Sequence, residues 1–122
     1  MTEAVYQKLL VWQKAIDLVV DVYRESKKLP KEEIYGLTSQ MRRAAISIPA
    51  NIAEGQGRRT LRDKQNFLSI ALGSLKELET HLIIAGRLGY LKQETISTFC
   101  NLTERIGRML NGLMNSLKRK EP

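Results

Sequence analysis

The stretch "SIPANIAEGQGRR", Ser47–Arg59, decides how the chain folds. Its apolar spacing is helical, yet Pro49 stands inside it. A proline there donates no hydrogen bond to the carbonyl of Ala45, and its ring crowds that carbonyl. In a helix interior this costs about 3 kcal/mol. Two arrangements accommodate it. Either one long helix kinks at Pro49, or one helix ends near Ser47 and another starts with Pro49 at its first position. The second makes Ile48 the cap, and isoleucine is a poor one. The kinked single helix is therefore favoured, running from about Leu37 to Gln56. Its core side carries Leu37, Met41, Ala44, Ala45, Ile48 and Ile52, and Ile46, Pro49 and Ala53 form a flank of their own. A third stripe is polar, with Arg43, Ser47, Glu54 and Arg58, and with Gln40 and Asn51 beside it.

The same reading extends to both sides. A first helix runs from about Leu9 to Lys27 and ends at "KKLPKEE". After "GQGRRT", Thr60 is a candidate N-cap with Asp63 in the first turn. The third helix continues to about Leu88, where Gly89 stops it. A fourth spans about Gln93 to Leu117. The third carries Leu68, Leu72, Leu75, Leu78 and Leu82, and the fourth carries Phe99, Leu102, Ile106, Leu110, Leu113 and Leu117. These stripes repeat every three or four residues. Short connections make sequential helices antiparallel. The expectation is an all-α, antiparallel up-and-down four-helix bundle, one domain over residues 1–122. The glycines inside the helices predict close backbone approach.

The first helix carries more apolar surface than the edge of a bundle needs. Leu9, Trp12, Ile16, Val19 and Tyr23 form one stripe. Val11, Ala15, Leu18 and Val22 form a second, about 110° round at the helical advance per residue. The surplus predicts an oligomer whose interface takes Val11, Ala15, Leu18 and Val22 together with Ile46, Pro49 and Ala53.

Lys and Arg number 20 against 13 Asp and Glu, a net charge of +7. That balance suits nucleic acid or simple solubility. The basic residues gather in two clusters: Arg58, Arg59, Arg62 and Lys64, then Lys118, Arg119 and Lys120. The first lies near a helix N-terminus, where backbone donors and arginines suit a phosphate. Aromatic residues make up 6% and do not interleave with the cations, which argues against a base-stacking platform.

No enzyme chemistry emerges. A lone His81 four residues after Glu77 is no bundle metal site, which draws on two such sets. Cys100 has no basic partner and reads as packing; a single cysteine forms no internal disulfide. "EGQGRR" lacks the lysine and hydroxyl of a phosphate loop. No cofactor is expected. Glu79 lies toward an apolar side and calls for a cation, with Arg42 or Arg43 as candidates. No signal peptide and no membrane span is apparent, so the expected location is the cytoplasm.

"LLVWQKAIDLVVDVY", "YGLTSQMRRAAISIPANIAEGQGR" and "LSIALGSLKELETHL" resemble the bacterial four-helix-bundle family of proteins encoded by intervening sequences in 23S rRNA genes, a family with a ribosomal-protein label. The resemblance spans nearly the whole chain, and "SIPANIAEG" is its specific signature. It implies an antiparallel four-helix bundle that assembles as a pentamer, in a family with no established enzyme activity. It also links the chain to the similar accessory variability protein of diversity-generating retroelements, a basic pentamer that works with a reverse transcriptase and nucleic acid. The matching positions are Arg42, Arg43, Ser47, Pro49, Asn51, Glu54, Gly55, Glu77 and Glu79, and the resemblance assigns them no chemical role. We read Arg42, Arg43, Ser47, Asn51, Glu54, Glu77 and Glu79 as a structural polar network. The expected function is a non-enzymatic oligomer that binds RNA or DNA through the phosphate backbone. The alternative is a protein-interaction scaffold or accessory subunit.

Overall fold

The computed structural model describes residues 5–120. Four helices make up most of it: α1 (Leu10–Ser26), α2 (Leu37–Gln56), α3 (Leu61–Arg87) and α4 (Gln93–Lys118). Short 3-10 turns at Val5–Lys8 and Lys31–Glu33, neither evident from periodicity, precede α1 and α2. The pairs α1–α2, α2–α3, α3–α4 and α1–α4 pack against one another, closing an up-and-down bundle.

Local chemistry ends the helices where it should. Thr60 accepts a hydrogen bond from the Asp63 N–H at 3.1 Å and caps α3. At the other end Gly89 takes φ 78°, a conformation that suits glycine. The Tyr90 N–H then reaches the Ala85 carbonyl at 2.9 Å and the Gly89 N–H reaches Gly86 at 3.1 Å. This paired closure satisfies carbonyls that the helix end would otherwise leave free.

Helix α2 runs unbroken through Pro49, so the single-helix reading holds. Its core side lies inside, with Met41, Ala45, Ile48 and Ile52 at 0% exposure. The Leu stripe of α3 and the Phe99–Leu117 stripe of α4 meet it, with Leu72, Leu102 and Leu113 at the margin. Each such side chain withdrawn from water contributes about 1.5–3 kcal/mol before chain entropy is counted. A Cβ on Gly55 would lie 3.2 Å from that of Phe67, and one on Gly107 3.4 Å from Leu75 Cδ2, so those glycines let helices approach closely. Gly73 and Gly112 meet nothing within 4 Å, and there the close-approach expectation fails.

The structure reverses the roles expected for the two stripes of α1. Ala15, Leu18 and Val22 are at 0% exposure and Val11 at 5%, all within the chain's own core. Leu9, Trp12, Ile16, Val19 and Tyr23 instead lie partly open, with Leu9, Trp12 and Val19 packed on the core margin. The physical reason is that α1 touches both α2 and α4. The side between those contacts points inward, and it carries the smaller Ala15 and the valines. Both stripes are equally apolar, so periodicity could not rank them. Pro49 is buried too. Of the expected interface residues, Ile46 is exposed at 44% and Ala53 is half-buried.

Candidate functional site

The antiparallel order brings the two basic clusters to one end of the bundle. Helix α2 ends there, α3 begins there and α4 ends there. The Gln65 side-chain amide donates to the Met114 carbonyl at 2.7 Å, tying the first turns of α3 to the last turns of α4. Lys64 Nζ donates to the Gln56 carbonyl at 3.2 Å, joining α3 back to α2. The 3-10 turn before α1 packs against α2 and adds Lys8 to the same end. Among the described residues, Lys8, Arg58, Arg59, Arg62, Lys64, Lys118, Arg119 and Lys120 gather here against the carboxylates of Glu54 and Asp63.

These cations are not equally free. Arg58 pairs with Glu54 at 3.0 Å, in the favourable i,i+4 order, and its guanidinium lies 4.5 Å from the Phe67 ring centroid. Lys64 is half-buried and spends its ammonium on the Gln56 carbonyl. Arg59, Arg62, Lys118, Arg119 and Lys120 are exposed and have no ion-pair or hydrogen-bond partner for their side chains among the described residues.

The residues expected as one polar network divide into separate contacts. Arg42 Nε donates to Ser26 Oγ at 2.9 Å while its guanidinium covers the Tyr23 ring at 4.7 Å. It therefore clamps α2 to the last turn of α1. Between α2 and α3 the Ser47 and Ser74 hydroxyls pair at 2.8 Å, and Asn51 Nδ2 donates to Ser47 Oγ at 2.9 Å and to its carbonyl at 2.7 Å. Arg43 and Glu77 line a polar groove beside this pair, with Gln40. Glu77 lies 3.7 Å from His81 on its own helix. Glu54 belongs to Arg58. Glu79 is largely covered, and its cation is Lys76 at 3.3 Å. The expected partners Arg42 and Arg43 are engaged or placed elsewhere.

Sequence reasoning missed Glu33. Its Oε1 accepts from the Leu37 N–H at 3.2 Å, capping α2, and its Oε2 accepts from the Tyr90 hydroxyl at 3.0 Å. One carboxylate thus joins the α1–α2 and α3–α4 connections at the end opposite the cations. The Glu33 hydrogen bond, followed by loss of water and the charges of Glu33 and Glu32, raises the Tyr90 phenol above its ordinary value. The available signal was an acid four residues before the first periodic residue of α2.

Among the described residues no set of side chains assembles a reactive centre. No group of three or more His, Cys, Asp and Glu among the described residues is placed to hold a metal. Burial, then the carboxylates of Glu79 and Glu104, raises the Cys100 thiol and disfavours its nucleophilic thiolate. Among the described residues no helix is long and apolar enough to cross a membrane.

The fold and the sequence both have relatives. The crystal structure of a protein of unknown function from the S23 ribosomal protein family of Bacteroides thetaiotaomicron is similar, with a TM-score of 0.80 and 26% identity. The match covers 86% of this chain and 98% of that one. No curated protein matches the chain. The family model of the 23S rRNA-intervening sequence protein matches residues 7–112. The bundle, its signature through Pro49 and this match agree, and the chain belongs to the 23S rRNA-intervening sequence protein family.

Proposed function

We propose that this is a non-enzymatic, cytoplasmic oligomer that binds RNA or DNA at the basic end of its bundle, through the phosphate backbone. The observation that supports this reading is that two sequence-distant basic clusters lie at the same end of the bundle, with five of their cations unengaged. Such a surface supplies charge without a base-reading element, so its affinity falls steeply with salt. The experiment is binding of a structured RNA across a salt series, with the protein's mass recorded by light scattering. Salt-sensitive binding on an assembled species is the expected result. Absence of binding even at low salt overturns the reading.

An oligomer needs a surface other than the inner stripe of α1. Val20, Tyr23 and Ile46 are exposed and, with Val19, line a shallow groove between α1 and α2, edged by Arg24 and Lys27. This apolar groove favours assembly, and a second copy of the chain is its proposed occupant. Five copies are what the family resemblance implies. A reverse transcriptase is the protein partner that the same resemblance offers. If nucleic acid does not bind, the groove makes a protein-interaction scaffold the better reading.

A further inference from the structure

We infer that the basic end takes the phosphate backbone of a double helix and not that of a single strand. This rests on the reading that the end binds nucleic acid. A surface that binds single strands needs aromatic faces on which bases can stack. The three aromatic residues at this end are all engaged. The Phe67 ring carries the Arg58 guanidinium at 4.5 Å. Tyr6 and Trp12 meet edge to face, with ring centroids 5.3 Å apart, and Trp12 packs on the core. Tyr35, whose ring is almost fully exposed at 95%, sits at the opposite end of the bundle. What remains at the basic end is charge held on the ends of helices α3 and α4. A site that offers only charge discriminates by charge density, and a duplex carries the denser array of phosphates.

The test compares a blunt RNA duplex, a DNA duplex of the same sequence and an oligouridine of the same length, all at one salt concentration. At least one duplex binds about tenfold or more tightly than the oligouridine, because the single strand lacks the stacking contacts that normally compensate its lower charge density. The RNA and DNA arms tell an A-form from a B-form preference, and either supports the inference. Trp12 is the chain's one tryptophan and lies at this end, so its fluorescence reports stacking directly. Duplex binding leaves it nearly unchanged. Oligouridine binding as tight as the tighter-binding duplex, or quenching of Trp12 by oligouridine, overturns the inference while leaving the nucleic-acid reading intact. If no probe binds at low salt, both fall together.

Discussion

The two ends of the bundle solve different problems. At one, Glu33 spends both carboxylate oxygens on a helix cap and a phenol, and so ties two connections together. Lys27, Lys28, Lys31, Arg87 and Lys92 share that end with Glu25, Glu32, Glu33 and Glu94, so charge is close to balanced, and Lys28 pairs with Glu25 at 2.7 Å. At the other, cations outnumber carboxylates and most lack partners. Like charges crowded without partners repel one another and disfavour the compact state. The first end is therefore built for stability. The second tolerates a small electrostatic cost that an anionic ligand would remove.

The comparison can be broken from the balanced end first. Val22 lies in the core near the end of α1. Val22→Glu buries a carboxylate without a cation and costs several kcal/mol, enough to unfold a domain of this size. Thermal unfolding monitored by circular dichroism checks it, and a cooperative transition near the wild-type midpoint would refute the core assignment. Glu33→Ala removes the α2 cap and costs about 1–2 kcal/mol. Denaturant unfolding measures that loss, with nucleic-acid affinity unchanged.

Gly73 sharpens the same contrast from the middle of α3. A Cβ there meets nothing within 4 Å. Gly73→Ala raises the stability of the folded chain by about 1 kcal/mol through helix propensity alone. A loss of stability accompanied by loss of assembled mass would mean that a neighbouring copy approaches this glycine. Smallest is Tyr90→Phe, read as a change in pH dependence. The raised phenol means that the Glu33–Tyr90 contact is fully present below the ordinary phenol value near pH 10 and fades as pH rises through the higher folded value. The phenylalanine variant loses that alkaline component, so its stability curve is flatter above pH 10 than that of the wild type.

How much of this was legible in the sequence depends on the kind of information each feature needs. The spacing of Leu68–Leu82 and Phe99–Leu117 specifies helices and their core faces, because it is local and periodic. Thr60 and Gly89 mark their helix ends through chemistry that acts within a few residues. The two stripes of α1 were visible, but which faces inward depends on α2 and α4 lying on either side. The Glu33–Tyr90 contact joins residues far apart in sequence, and no pattern along the chain marks it. The basic end is an intermediate case. Its clusters are plain in the sequence, and alternation of helix direction puts both at one end. That Arg58 is engaged while Arg59 and Arg62 are free depends on the Phe67 ring and Glu54, which only the packed α2–α3 corner brings together.

The most direct test of the account sets two charge reversals side by side. Arg59→Glu with Arg62→Glu alters the basic end, and Lys27→Glu with Lys31→Glu alters the balanced end by the same net charge. Affinity for a structured RNA is measured for both across a salt series. The account predicts that the first pair weakens binding sharply and lowers the salt slope by about 2, roughly one per lost phosphate contact, with folding intact. The second pair leaves the slope unchanged. Equal losses in the two variants would show that net charge alone, and not the basic end, governs binding.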